Sequence, residues 1–303
     1  MRRRTSRYPS LPAPRLAAKS LQKRFAPFKD TAKHIKLGRG GEFPRVNFVE
    51  LNKKKRVFML DITFKARYHE MDQNGLIPLW TLLNYFQESA GEDAHNLSFG
   101  WEEMSPKGIA WVITKFEIKL LKEVKGVQNI SIKTWHCMSD KLQSRRDFIM
   151  YNQQGEEIAK GISWWVILDL AKRRIVRNPQ SLLDLNPQNP APVMEASDIR
   201  TPKFDGVTPL NSIKVIARLE DIDSNAHVNN AHFSAWAIDA MPADLREGLQ
   251  LEDLIINYRA EVKQADEITA SVYPAEDGVY WHILTRPADG KEIASVRTVW
   301  CKK

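Results

Sequence analysis

Two stretches of this 303-residue chain, KARYHEMDQNGLIPLW at 65–80 and VIARLEDIDSNAHVNN at 215–230, align without a gap. Ala66 falls on Ala217, Arg67 on Arg218, Met71 on Ile222, Asp72 on Asp223 and Asn74 on Asn225. Such a repeat constrains the fold more than any single motif, because one supersecondary unit must be built twice from one chain. After each copy the pattern turns helical, with Leu79, Leu82, Leu83, Phe86 and Ala90 in the first half and Val228, Ala231, Ala235 and Ile238 in the second. The second helix is expected to begin near Val228, and both helices to be long and buried. The remainder of each half is rich in β-branched and aromatic residues: WVITKFEIKLL, NISIKTWHCM, RRDFIMYN and EIAKGISWWVILDL, then LEDLIINYRAEV, EITASVY, YWHILTR and EIASVRTVW. QQGEE and ADGKE occupy hairpin positions before the last strand of their halves. One long helix wrapped by an antiparallel sheet, twice over, is an α+β plan.

Charge divides the chain unevenly. Residues 1–56 hold seventeen Lys and Arg against three acids, a net +14, and the remainder carries 28 basic against 34 acidic residues, or −6. The basic segment lacks a sustained period of 3.6 or 2, so residues 1–58 are expected to form a disordered extension. A spurious or non-functional extension is preferred there over a transit peptide, and a transit peptide over a nucleic-acid-binding arm. The N-terminal repeat is expected over 59–180 and the C-terminal one over 209–303. Between them, 181–208 reads as a Pro-rich linker, since six of the sixteen prolines fall between Ala171 and Leu210. No apolar run reaches the roughly 18 residues that span a bilayer, and the N-terminus lacks the apolar stretch of a secretory signal. Cys137 and Cys301 match no CxxC or zinc spacing, which suggests reduced thiols and a cytoplasmic location, or a plastid if the basic segment is a transit peptide.

The most specific residues are DIDSNAHVNN at 221–230 and NYRAEV at 257–262, supported by WVITK (111–115), the RRD triplet (145–147) and QES (87–89). With these motifs in this order, the chain from about Leu60 onward resembles the acyl-acyl-carrier-protein thioesterases of the plant plastid type and their bacterial relatives. The resemblance implies a tandem hotdog fold, with acyl-pocket walls in the N-terminal half and catalysis in the C-terminal half. It implies hydrolysis of an acyl thioester by Asp223, Asn225, His227 and Glu261. Glu261 or His227 would activate water, Asn225 would position the carbonyl or the water, and Asp223 would orient the network. A turn entering a helix would also offer backbone N–H groups to an oxyanion. The implied partner is an acyl carrier protein bearing a phosphopantetheine-linked chain, met by some of Arg145, Arg146, Lys172, Arg173 and Arg174; a homodimer is compatible, and no cofactor, metal, nucleic acid or membrane is expected.

Blander readings compete for the same residues. Asp223 and Asn225 could be helix caps. DIDSNA begins like a calcium loop, but Ala226 replaces the glycine and His232 the terminal glutamate; His227 and His232 stand five apart, the wrong spacing for two zinc ligands on one helix face. Against simple capping stands the first repeat, which keeps Asp72 and Asn74 but has Leu76 where the second has His227. Glu123 is the candidate counterpart of Glu261, which could itself be a solvated strand-end residue. Trp111, Trp164, Trp165 and Trp236 are expected in the core. A cysteine nucleophile has no candidate beside the motif, because Val262 follows Glu261, and no GxSxG elbow presents a serine, so direct water attack is left. The alternatives are a hotdog regulator that binds acyl thioesters without cleaving them and an enoyl-thioester hydratase.

Overall fold

Each run of alternating or β-branched residues forms a strand, and the two polar repeats precede the two central helices. The computed structural model describes residues 59–186 and 190–303; residues 1–58, including the expected extension, lie outside the described residues. The first half contains β1 (Leu60–Lys65), α1 (Leu79–Asn96), α2 (Trp101–Met104), β2 (Ile109–Leu120), β3 (Asn129–Ser139), β4 (Gln143–Tyr151), β5 (Glu157–Asp169), β6 (Arg174–Val176) and α3 (Gln180–Leu183). The second contains β7 (Asn211–Ile216), α4 (Ala231–Asp239), α5 (Ala243–Glu247), β8 (Leu249–Tyr258), β9 (Glu267–Pro274), β10 (Val279–Arg286) and β11 (Lys291–Lys302).

Among the described residues these strands make one 11-stranded sheet in the order β1-β3-β4-β5-β2-β8-β11-β10-β9-β7, with β6 beside β5. All pairings are antiparallel. The order is symmetric about the β2–β8 seam, where Lys115 to Lys119 pair with Asn257 to Asp253. The tandem hotdog is thus one continuous sheet with a helix packed in each half, as the repeat demands. No helix of the described residues is long and apolar enough to cross a membrane.

In the first half, α1 turns Leu79, Leu82, Leu83, Phe86 and Ala90 inward. Phe86 meets Phe116 of β2 and Phe148 of β4 at centroid separations of 5.8 and 4.9 Å, and losing one such ring to alanine costs about 3–5 kcal/mol. The second helix differs from expectation. It starts at Ala231 rather than near Val228 and runs nine residues against eighteen for α1. At its end, Pro242 disfavours helical backbone at Met241. At its start, Val228 donates its N–H to the Val262 carbonyl (2.8 Å) and so belongs to the sheet side of the turn.

The stretch from 190 to 204 is a strap over the outer sheet face. Its Val193 N–H bonds Asp147 (2.7 Å), its Met194 carbonyl accepts from Arg145 (2.7 Å), its Ser197 N–H bonds Glu117 (2.9 Å), and Phe204 stacks on Tyr273 at 4.2 Å.

Candidate active site

Both repeats build the same turn from the same aspartate. In the first, Asp72 Oδ1 accepts the N–H groups of Asn74 (2.8 Å) and Leu76 (2.9 Å); in the second, Asp223 Oδ1 accepts that of Asn225 (2.8 Å). The turns also share a backbone pair, Asp72 N–H to the Leu76 carbonyl and Asp223 N–H to the His227 carbonyl, both 2.8 Å. These are Asx turns. Neither aspartate caps a helix: α1 is preceded by Pro78, and the Ala231 N–H opening α4 goes to Asn229 Oδ1 at 3.0 Å. The Asp/Asn cap reading therefore fails, and the first N–H groups of α4 are already partnered within the chain. The next two N–H groups, of His232 and Phe233, are taken by the carbonyls of Asn229 and Asn230. The turn must supply its chemistry from its own groups.

Only the second repeat places a histidine beside a glutamate at that turn. Val124 and Val262 hold equivalent places, because each carbonyl accepts the N–H that comes after its turn, from Ile77 and Val228 respectively, at 2.8 Å. Glu123 is consequently the counterpart of Glu261. In the first half Glu123 is exposed and pairs with Lys125 at 3.5 Å, the residue that bridges to Leu76. In the second, Glu261 Oε2 lies 2.9 Å from His227 Nε2. Arg286 steadies the loop beneath by donating to the Glu261 carbonyl (3.0 Å) and to Asp266 (3.1 Å). His232 turns to the buried Asp221 (3.6 Å) and takes no part with His227. Asn225 Nδ2 reaches Asp223 Oδ2 at 3.4 Å, which leaves its second amide hydrogen for another acceptor.

These residues sit at one side of a cavity of about 630 Å³ whose other walls come from the first half. Ala90, Gly91 and Ala94 offer the small-residue face of α1, and Trp111, Ile113, Trp165 and Leu168 come from β2 and β5. Trp111 and Trp165 thus line the cavity instead of filling the core. No feature of the sequence separates them from Trp236, which is core at 5% exposure. Arg145 and Arg146, expected among the carrier contacts, are buried against Asp147 and Asp93 and cannot meet a partner's surface. Arg173 is instead bonded to Glu261 Oε1, a pairing that sequence reading missed because the two residues lie in different halves. Cys137 is buried in β3, its thiol pushed up to about 12 by burial and by Asp147; Cys301 lies on β11. Val262, fully buried, follows Glu261, so no thiol adjoins that residue in the chain.

With that geometry, the matches to known proteins coincide with the repeats. The model of the acyl-ACP thioesterase N-terminal domain matches residues 57–185, and that of the acyl-ACP thioesterase C-terminal domain matches 208–302. The chain belongs to the acyl-ACP thioesterase family. It is 28% identical over 257 residues to a chloroplastic acyl-acyl-carrier-protein hydrolase of Cuphea viscosissima, covering 79% of this chain and 62% of that one. To oleoyl-acyl carrier protein thioesterase 1 of Arabidopsis thaliana, also chloroplastic, identity is 24% over 79% of this chain and 75% of the relative. The fold matches a 12:0-ACP thioesterase from Umbellularia californica with a TM-score of 0.72 at 21% identity, covering 81% of this chain and 98% of that one. An acyl-ACP thioesterase from Bacteroides thetaiotaomicron matches with a TM-score of 0.71 at 21% identity, over 80% and 98% of the two chains.

Proposed function

We propose that the chain hydrolyses acyl-carrier-protein thioesters to free fatty acid and carrier protein, with Asp223, Asn225, His227 and Glu261 as its catalytic set. The observation that carries this reading is the 2.9 Å His227–Glu261 pair at the wall of an apolar cavity. The acyl chain occupies the cavity, and its thioester carbonyl lies at the turn. The His227–Glu261 pair removes a proton from water as the water oxygen bonds to the carbonyl carbon. The tetrahedral oxyanion takes the unused amide hydrogen of Asn225, whose orientation Asp223 sets through the turn. Collapse breaks the carbon–sulfur bond, and the departing phosphopantetheine thiolate receives the proton held by the pair. No protein–acyl bond forms. The exposed Lys172 and Arg174 flank Arg173 on the β5–β6 hairpin beside the cavity and offer positive charge to an acidic carrier protein. We assign the protein to the compartment in which carrier-linked acyl chains are made: the cytoplasm, or the plastid where residues 1–58 act as a transit peptide.

The test is incubation with a panel of acyl-carrier-protein thioesters, with products read by mass spectrometry. Free fatty acid is expected from the wild type. Asn225→Ala and His227→Ala should each lower turnover by about 10²-fold or more while remaining folded. A hydroxyacyl thioester as product would make the chain a hydratase, and unchanged ligand would make it a binding protein.

A further inference from the structure

Arg173 stands in the left-handed region with φ of 53°, where a residue with a Cβ is uncommon and glycine or asparagine is the usual choice. The hairpin around it is built to hold that conformation. Asp169 Oδ1 accepts the N–H groups of Ala171 (3.0 Å) and Lys172 (2.8 Å), and the Asp169 carbonyl accepts that of Arg173 (2.8 Å). The hairpin is also anchored to the sheet, since the Leu170 N–H bonds the Gly108 carbonyl (2.9 Å) and β6 pairs with β5. From this fixed base Arg173 reaches Glu261 Oε1, while His227 holds Oε2. Both carboxylate oxygens are therefore engaged from opposite halves of the chain. Backbone strain at a single residue whose side chain ends on a catalytic group is the pattern expected where conformation serves a site.

We propose that Arg173, resting on the catalytic reading of His227 and Glu261, is a positioning residue that aims the Glu261 carboxylate at His227 and thereby sets the imidazole's tautomer. With Glu261 held, its Oε2 faces His227 Nε2, which carries the proton, and Nδ1 is left as the basic nitrogen. Released from Arg173, the carboxylate rotates on its side chain and the imidazole loses its fixed partner. The first repeat shows the arrangement without this device: Glu123 meets Lys125, two residues along its own loop, and Leu76 stands where the second repeat has His227. The N-terminal half therefore contributes a residue to the site as well as walls to the cavity.

Three variants and two substrates decide the matter. Arg173→Ala, Arg173→Lys and Asp169→Ala are compared with the wild type on an acyl-carrier-protein thioester and on a short acyl-N-acetylcysteamine thioester that has no carrier. Positioning predicts that Arg173→Ala lowers kcat on both substrates by about 10–100-fold, the range for residues that orient a reacting group, with KM within about twofold. Arg173→Lys should recover part of the loss, as should guanidinium added to Arg173→Ala below denaturing concentrations. Asp169→Ala should give a smaller fall of the same kind. A rise in KM confined to the carrier substrate, with kcat unchanged, would make Arg173 a carrier contact and overturn the proposal; unchanged kinetics would do the same. A second arm needs no turnover: histidine-ring 15N spectra, with the His227 signals identified by their loss in His227→Gln. The wild type should hold the Nε2-protonated tautomer, and Arg173→Ala should mix the two forms. An identical His227 tautomer in both proteins overturns the proposal. A wild type that cleaves no thioester would sink the thioesterase reading and leave this spectroscopic arm to decide Arg173.

Discussion

At the scale of the residue, the contrast between the two repeats separates structure from chemistry. Asp72 and Asp223 make the same turn, yet only the second turn carries a histidine, and only that histidine meets a glutamate. The turns also differ at one backbone position. Gly75 stands at φ of 72° in the first, whereas Ala226 stands at 62° in the second, between Asn225 and His227. A left-handed alanine is disfavoured by roughly 1–2 kcal/mol because its Cβ crowds the following carbonyl. Ala226→Gly should accordingly stabilise the protein, by about 1 kcal/mol after the added freedom of the unfolded chain is subtracted. Denaturant unfolding of wild type and variant measures this directly, and an equal or lower midpoint in the variant would mean that the turn is not strained. The expected direction is opposite to that of most substitutions, which makes the measurement discriminating.

At the scale of the element, the strap over the outer face explains charges that sequence patterning places on strands without showing why. Asp147 is 0% exposed and is bonded by Arg145 through two nitrogens and by the Val193 N–H. Removing the carboxylate's charge leaves a buried guanidinium without its counter-ion. Asp147→Asn should therefore cost about 3–5 kcal/mol, the range for breaking one side of a buried pair. The Lys122–Glu156 pair serves as the comparison, being half exposed on both sides, and Glu156→Gln there should change stability far less, since solvent screens an exposed pair. Chemical denaturation of both variants checks the ranking, and similar losses would show that the strap does not isolate Asp147 from water. The Pro-rich composition of this stretch was legible, but linker composition alone does not distinguish a tether from a strap. That distinction depends on buried acceptors, contributed by strands some 46 to 80 residues away in sequence.

At the scale of the whole molecule, two halves share one sheet and one buried core but fill it with different residues. The first is packed by Phe86, Phe116 and Phe148, while the second buries His282 completely against Thr298 at 3.0 Å. Burial pulls the His282 imidazole down to about 3, with the Ala237 backbone opposing. Its folded value lies below its unfolded value of about 6.5, so the unfolded chain binds the extra proton first. Stability from this group is complete above about pH 6.5 and falls as pH drops from there towards about 3, by at most about 1.4 kcal/mol per pH unit. His282→Gln should flatten that part of the stability–pH curve whatever it does at neutral pH. Denaturation midpoints across the range test this, and an unchanged acid slope in the variant would assign the sensitivity to other groups.

The amino-acid sequence by itself determined the duplication, the strand content, the position of both polar turns and the family motif in the second. All of these are written in residues close together along the chain, where periodicity and turn chemistry act. The asymmetry between Leu76 and His227 was legible for the same reason. Only the tertiary structure decided that the second helix begins three residues late, that Arg145 and Arg146 are buried, that Trp111 and Trp165 line a cavity, and that the linker is a strap. It alone brings Arg173 to Glu261 across 88 residues of sequence. Each of these depends on which surfaces meet once the strands have paired. That choice is set by burial and by satisfying polar groups across the β2–β8 seam, and no local pattern encodes it.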